Sequence, residues 1–220
     1  MRRALAAALL ALGCAPALRG APPPAAKREP AASLATIQEI SRRLESERDA
    51  RTRGELASAA VDAGRRCEAR APAEPECEYG LALALGLQAR ERPSTAADGL
   101  KRMIERLRRV QAADARLDSG GPSRVLALVL LRAPGWPLGP GDPEAAVTEA
   151  RKAVALFPDY PPNQLALAEG LLATGDQEGG HAAARRALDG ARQLVAEGNR
   201  ESARWVEEAE RLAATPVPAR

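Results

Sequence analysis

Residues 141–190 read GDPEAAVTEARKAVALFPDYPPNQLALAEGLLATGDQEGGHAAARRALDG, and this stretch contains the same helical unit twice. A Gly-Asp pair begins each copy, at Gly141-Asp142 and at Gly175-Asp176, and the two pairs lie 34 positions apart. The same interval separates small residues at matching places in the two copies. These residues are Ala146, Ala150 and Ala153 in the first copy and Gly180, Ala184 and Ala187 in the second. The stretch therefore predicts tandem helical units of fixed length.

The length of the interval and the residues within it favour one kind of repeat. A period of 34 residues is the signature of tetratricopeptide repeats (TPR), in which helical hairpins stack against one another. The Gly-Asp pair is expected to close the turn between two helices, because glycine adopts angles that other residues resist and aspartate caps the next helix. Ala146, Ala150 and Ala153 share one helical face, where small side chains let a neighbour approach. Pro158 is expected to end the helix. The alternative is an ordinary helical bundle that repeats by chance.

The flanking sequence predicts more helices of the same kind. Apolar residues recur at helical spacing in segments 33–48, 49–71, 77–90, 97–114, 122–133, 161–174 and 199–214. Ala60, Gly64 and Cys67 repeat the spacing of the small residues and indicate an earlier, degraded copy. The last segment is expected to cap the open end of the stack. We predict an all-α domain at 33–214, a TPR-like stack of antiparallel helical hairpins with a C-terminal capping helix, followed by a disordered tail at 215–220.

The N-terminus predicts export and a lipid anchor. Residues 1–12 read MRRALAAALLAL, which is typical of a signal peptide and too short to span a bilayer. Gly13-Cys14 resembles the lipobox of bacterial lipoproteins, in which the cysteine is diacylated, so residues 1–13 are interpreted as a lipoprotein signal peptide. Cleavage beyond Cys14 by a conventional signal peptidase is the alternative. Residues 14–32 then form a lipidated cysteine and a Pro/Ala-rich linker. Ala15 after the cysteine favours the periplasmic face of the outer membrane over that of the inner membrane.

The other two cysteines are Cys67 and Cys77. An oxidising compartment favours their pairing, and the short segment between them brings them within reach of each other. Two buried free thiols are the alternative. The chain has no CxxC spacing and no histidine near either cysteine, so neither metal binding nor thiol redox chemistry is expected.

Composition excludes several classes of function. The formal net charge of +3 falls to +1 once Arg2 and Arg3 leave with the signal peptide, and aromatic residues make up 2% of the chain. Nucleic-acid binding is therefore not expected. The single histidine, His181, is expected to face solvent, and the sequence has no P-loop, nucleophile elbow or HExxH motif. We expect neither an enzyme nor a bound cofactor.

One loop departs from the repeat. APGWPLGPG at 133–141 contains three prolines and three glycines where a regular unit has only a turn. Trp136 in this loop has two interpretations: it covers the edge of the core, or it lines a ligand cavity or a partner surface.

Residues 119–175 resemble the T component associated with tripartite ATP-independent periplasmic (TRAP) transporters. The similarity rests on the Gly-Pro-x-Arg helix start, the APGWP loop before Gly-Asp, and the PDYP-x-N segment leading into LAE. The resemblance implies a membrane-tethered periplasmic protein that forms a trimer with a pore through each subunit. It also implies binding of a hydrophobic ligand and cooperation with the transporter's solute-binding protein. The matching positions are Arg124, Trp136, Gly141, Asp142, Asn163 and Glu169. The chain departs from the pattern at Gly179-Gly180 and lacks a helix-ending proline after Leu188.

Two functions from different classes follow from these observations. In the first, the protein is an accessory component of solute uptake, with a channel near Arg124, Trp136 and Asn163 that takes an apolar ligand. In the second, it is a TPR scaffold of the cell envelope that presents a groove to a protein partner. Arg124, Trp136, Asn163 and Glu169 are the candidate binding residues in either case.

Overall fold

The computed structural model describes residues 32–215, and this part of the chain is all α-helical, as predicted. Its helices are α1 (Ala32–Ser46), α2 (Ala50–Arg70), α3 (Pro75–Glu91), α4 (Ala96–Ala113), α5 (Leu117–Arg132), α6 (Pro143–Leu156), α7 (Pro161–Ala173), α8 (Gln177–Ala196) and α9 (Ala203–Ala213). Short 3-10 turns at Pro93–Thr95 and Arg200–Ser202 precede α4 and α9. The predicted signal peptide, Cys14, most of the linker and residues 216–220 of the tail lie outside the described residues.

The helices form two rows. Each helix packs against the next one along the chain, and the contacts between helices two apart join α1 to α3, α3 to α5, α5 to α7, and α7 to α9. The odd-numbered helices therefore form one continuous inner row, and the even-numbered helices cover it from outside. This is the TPR-like stack of hairpins, with α9 packed on α7 and α8 as the predicted capping helix.

Small residues lie where the two rows meet. Ala146, Ala150 and Ala153 of α6 are buried, as are the matching small residues of α8, Gly180, Ala184 and Ala187. In the earlier copy, a Cβ added at Gly64 of α2 would lie 2.9 Å from the Cα of Leu81 in α3. A short side chain at these positions sets the distance between neighbouring helices, because a larger one would collide with the facing backbone.

The aspartates of the two Gly-Asp pairs have the same role, but the glycines do not. Asp142 and Asp176 both cap the following helix, accepting hydrogen bonds from the backbone N–H groups of Ala145 and Gly179 at 3.0 and 2.9 Å. Gly175 has a φ of +88°, which only glycine adopts without strain. Gly141 has no such angle. It is needed for space, because a Cβ there would collide with the carbonyl oxygen of Ala133.

Several helix boundaries differ from the sequence predictions. The predicted 49–71 segment starts as a new helix because the Asp49 side chain accepts a hydrogen bond from Thr52 N at 2.8 Å. α6 ends at Leu156, two residues before Pro158. Asn199 caps the 3-10 turn rather than α9 itself, accepting from Glu201 N at 3.2 Å.

Candidate binding site

An apolar groove lies between α1, α3, α4 and α5. It has a volume of about 570 Å³. Most of its wall is apolar. Met103 is buried, and the other apolar wall residues are half-buried: Leu83, Leu87, Leu100, Val125, Leu128 and Val129. Ala133 and Pro134 at the start of the 133–141 loop close one end. A concave apolar surface of this size falls within the range of ligand and peptide sites in proteins.

Two further cavities continue the groove, each with a volume of about 530 Å³. The connecting cavity lies between α5, α7 and α9 and shares Leu128 and Arg132 with the groove. The charged cavity lies between α1, α5, α7 and the C-terminal segment and shares Gln38 and Ser41 with it. The inner side of the stack thus changes from apolar at the groove to charged near α9.

Arg124 and Asn163, two of the candidate binding residues, bind each other, and only Arg124 lines the charged cavity. Arg124 is buried in α5 and donates from Nη1 to Asn163 Oδ1 at 3.0 Å and from Nη2 to Asp118 Oδ2 at 2.8 Å. Its Nη1 also approaches the carbonyl oxygens of Asp118 and Ser119 at 3.1 and 3.2 Å. Nη1 is therefore shared among three acceptors of the protein, and Nη2 is held by Asp118.

Asn163 also holds a left-handed turn at the start of α5. Asp118, Ser119 and Gly120 have φ values of 49°, 54° and 82°, so the first turn of the α5 segment has a conformation that L-residues disfavour. The Asn163 amide donates toward the carbonyls of Ser119, Ala153 and Phe157 at 3.0, 3.1 and 3.2 Å. These bonds tie the turn to the end of α6 and the start of α7.

Tyr79 of α3 also binds Asp118 of this turn. Its hydroxyl donates to Asp118 Oδ2 at 2.8 Å, and the side chain is fully buried. Burial raises the pKa of Tyr79 well above its ordinary value, and the negative charge of Asp118 raises it further. We use the name polar staple for Tyr79, Asp118, Ser119, Arg124 and Asn163.

Two aromatic rings connect the polar staple to α9. The Arg124 guanidinium lies 5.2 Å from the centre of the Tyr160 ring, and Tyr160 meets Trp205 edge-on with centroids 5.7 Å apart. Burial is the main reason why the pKa of Tyr160 is raised above its ordinary value. The capping helix is therefore held to the middle of the stack by these aromatic contacts as well as by its own apolar face.

Glu169 is separate from the polar staple and forms part of the connecting cavity. It accepts two hydrogen bonds from Arg132 of α5, at 2.6 and 3.0 Å. This hydrogen-bonded carboxylate raises the pKa of Arg132. The pair spans α5 and α7 with its charges matched, so it offers the cavity a polar wall without an excess of either sign.

Trp136 takes neither the core position nor the cavity position predicted for it, and its place on a partner surface stays a prediction. Its side chain is 90% exposed, so it does not cover the core, and it is absent from the walls of the groove and of both adjoining cavities. The loop turns away because Gly141 N donates to Pro134 O and Leu138 N donates to Gly135 O, which closes it on itself. The Trp136–Pro137 peptide bond is cis, and Leu138 is also largely exposed.

Cys67 and Cys77 form a disulfide in the structure, with their Cα atoms 5.3 Å apart. The bond joins the end of α2 to the start of α3 across the connector. His181 is half-buried rather than solvent-facing, since its Nε2 lies 3.0 Å from the carbonyl oxygen of Thr215 just after α9. Within residues 32–215 the structure contains neither a cluster of side chains suited to a metal ion nor a helix long and apolar enough to cross a membrane.

Sequence reasoning missed several residues that shape the site. It did not single out three members of the polar staple, Tyr79, Asp118 and Ser119, or Tyr160, which lies beside it. The Asp-Ser-Gly-Gly run at 118–121 carried a usable signal, because such residues favour turns and left-handed angles. Nothing in the local sequence marks Tyr79, whose partner Asp118 lies 39 positions away.

Comparison with known proteins identifies the fold. No protein-family model matches the chain, and no curated protein sequence matches it either. Among solved structures, the chain is similar to a thermophilic TPR protein of Thermus thermophilus, with a TM-score of 0.52. The two share 21% sequence identity over 78% of this chain and 88% of the other. The TPR-like fold of this chain is therefore supported by its own geometry and by a solved structure of similar shape.

Proposed function

We propose that the protein is a non-enzymatic binding scaffold that holds an apolar segment of a protein partner in the groove. The observation that carries this proposal is the apolar wall that α3, α4 and α5 present on the inner side of the stack. An amphipathic helix laid into such a groove buries its apolar face, which is a common mode of peptide recognition. The TPR-like fold supports it, because stacked hairpins create extended concave surfaces of this kind.

The chemistry of the inner surface supports binding rather than reaction. The charged groups that face the cavities are held in pairs, such as Arg124 with Asp118 and Arg132 with Glu169. Paired, hydrogen-bonded charges orient the helices, whereas a catalytic acid or base needs a proton that it can exchange with a substrate.

A second candidate is an accessory, T-type component of a TRAP transport system that binds a hydrophobic small molecule. The continuity of the groove with the connecting and charged cavities favours it, because together they make a long inner path rather than one shallow site. In this case the partner is a periplasmic solute-binding protein, and assembly into a homotrimer belongs to the same proposal.

For either function we propose that the chain acts in the periplasm, tethered through a lipidated Cys14, on the outer membrane in preference to the inner one. The support is the sequence of residues 1–32 alone. Intact mass spectrometry of the full chain from a bacterial envelope tests this: a mature N-terminus at Cys14 carrying acyl chains is expected. An unmodified N-terminus elsewhere would contradict it.

Photo-crosslinking separates the two candidate functions. We place a photoreactive amino acid at Leu87 in the groove or at Ala59 on the exposed side of α2, in the full chain in cells. A protein adduct from position 87 that is absent from position 59 is expected. A second substitution, Leu100→Gln, should weaken that adduct while helicity stays unchanged.

The other outcomes are equally informative. An adduct of lipid or small-molecule mass at position 87, with co-purified lipid in the untreated protein, would favour the transport candidate. Equal protein adducts from positions 87 and 59 would contradict a groove-specific partner. Absence of any adduct at position 87 would contradict both functions.

A further inference from the structure

The two ends of the stack face each other across the charged cavity. Gln38, Ser41, Arg42 and Glu45 of α1 form one wall, and the 3-10 turn and α9 form the opposite wall. Among the described residues, no Cα atom of α1 comes within 8 Å of one in α9 or in that turn. The apolar side chains of the two helices also belong to different cores. The gap is therefore spanned by side chains rather than by packed backbone.

Two reciprocal ion pairs cross this gap. Arg42 donates to Glu201 at 3.2 Å, and Arg204 donates to Glu45 at 3.4 Å. On each side the two charged residues are three positions apart, with the order of sign reversed, so the patterns complement each other only in this alignment. We call these four residues the clasp. Their side chains are between 52% and 63% exposed, and exposed ion pairs are weak and screened by salt.

The architecture makes the gap easy to open. In a stack of hairpins each unit contacts only its neighbours, so small rotations between units add up to a large change between the ends. Separating α1 from α9 exposes no shared core, because α1 packs in the cluster of Leu34, Ile37, Ile40 and Leu44, and α9 packs in that of Ala209 and Leu212. The clasp is the contact that such a motion breaks.

We propose that the clasp is an electrostatic gate on the inner cavities. When it is closed, α1 and α9 bound the charged cavity and restrict access to the groove from that side; when it opens, a partner segment or ligand can enter laterally. This inference rests on the proposed function of the groove, since a gate regulates access only if the groove is used. It predicts that access increases with ionic strength.

Tryptophan quenching tests the opening without any ligand. Of the two tryptophans in the chain, Trp205 lines the charged cavity and Trp136 is exposed in the loop, so Trp136→Phe leaves Trp205 as the single reporter. Acrylamide is a neutral quencher, and its own collision rate does not depend on salt. We expect quenching of Trp205 to increase as salt rises from about 0.05 to about 0.5 M, over which charge screening becomes strong.

Charge reversal tests the pairing itself. R42E/E45R places like charges opposite each other and should increase quenching at low salt and raise the binding rate of the apolar dye N-phenyl-1-naphthylamine about tenfold. The fourfold swap R42E/E45R/E201R/R204E restores opposite charges and should restore both values, although it keeps every change made within α1. R51E/E55R, which reverses an ion pair within α2, is the matched control and should change neither value.

Each result decides something different. Quenching that is the same in all variants and at all salt concentrations would overturn the gate. Failure of the fourfold swap to reverse the effect of R42E/E45R would also overturn it, since the effect would then arise within α1. Quenching that follows the prediction while the dye does not bind any variant would uphold the gate and contradict the proposed use of the groove.

Discussion

At the scale of single residues, Arg124, a candidate binding residue, has a structural role in the fold. It is buried, and its donors are directed to Asp118, Asn163 and two backbone carbonyls. A buried charge without its partners is costly, and so is a left-handed turn without the bonds that hold it. The polar staple therefore explains why a buried arginine lies near the start of an apolar helix.

Arg124→Met should destabilise the protein strongly. Removing the guanidinium leaves Asp118 and Asn163 with unmet polar groups, and breaking a buried charge pair costs about 3 kcal/mol or more. The measurement is urea unfolding followed by circular dichroism. Arg132→Met is the matched control, because its ion pair with Glu169 is more exposed and should cost less than about 1 kcal/mol. Equal losses in the two variants would contradict the structural role of Arg124.

Tyr79 should make the folded protein sensitive to alkaline pH. The folded-state pKa of Tyr79 is raised well above its ordinary value of 10, so its neutral form is the one that the fold stabilises. Its contribution to the free energy of unfolding is full below pH 10 and is lost as pH rises above it toward the raised pKa, because the unfolded chain loses the proton first.

Tyr79→Phe tests this linkage. At neutral pH the variant should lose about 2 kcal/mol, the usual contribution of a hydrogen bond to a charged group. The difference from the parent protein should shrink above pH 10, as measured by urea unfolding at several pH values. Tyr160→Phe provides the comparison: the pKa of Tyr160 is also raised, but the side chain is only partly buried, so its pH dependence should be smaller than that of Tyr79→Phe. A difference that stays constant with pH would show that Tyr79 ionises as easily folded as unfolded.

At the scale of helices, α2 contains two glycines in opposite situations. Gly64 faces the backbone of Leu81, whereas a Cβ at Gly54 would meet nothing within 4 Å. Gly64→Ala should therefore destabilise by about 1–2 kcal/mol, because overpacking outweighs the gain in helix propensity. Gly54→Ala should stabilise by up to about 1 kcal/mol through propensity alone. Thermal unfolding of both variants gives the signs, and a stabilising Gly64→Ala would contradict the close approach of α2 and α3.

The helices also show what the sequence could and could not reveal. The spacing of Ala146, Ala150 and Ala153 predicts a close interface, because periodicity can be seen in the sequence of one helix even when its partner helix is unknown. The kink at Asp118–Gly120 was missed although its own residues carry a turn signal, because the hydrogen bonds that hold it come from Asn163 and Tyr79, which are remote in the sequence. The direction of the Trp136 loop could not be predicted, because composition shows that a loop exists but not which way it turns.

The candidate site could likewise be predicted only in part. Arg124 and Asn163 were selected by resemblance, and the structure places them in contact, but only their hydrogen-bond partners reveal that they hold each other. The groove could not be predicted from the sequence, because its wall combines residues of α1, α3, α4 and α5 that come together only in the folded chain.

At the scale of the whole molecule, stability should be distributed by neighbourhood. The apolar residues of α9 pack with those of α7 and α8, and the larger core spans α1 to α6. A chain that ends at Asn199 should lose hydrogen-exchange protection in α7 and α8, while α2 to α4 keep theirs. Exchange measured by mass spectrometry checks this. Uniform loss throughout residues 32–199 would contradict a stack of locally coupled units.

The polar staple also limits how such an array can change its length. Solenoids often gain or lose whole units by duplication or deletion, because each unit needs only a similar neighbour. An extra hairpin inserted between α6 and α7 would carry Asn163 away from Arg124 and leave the turn at Ser119 without its anchor. The number of units from α3 to α7 is thereby fixed, and further units can be added only before α3 or after α7.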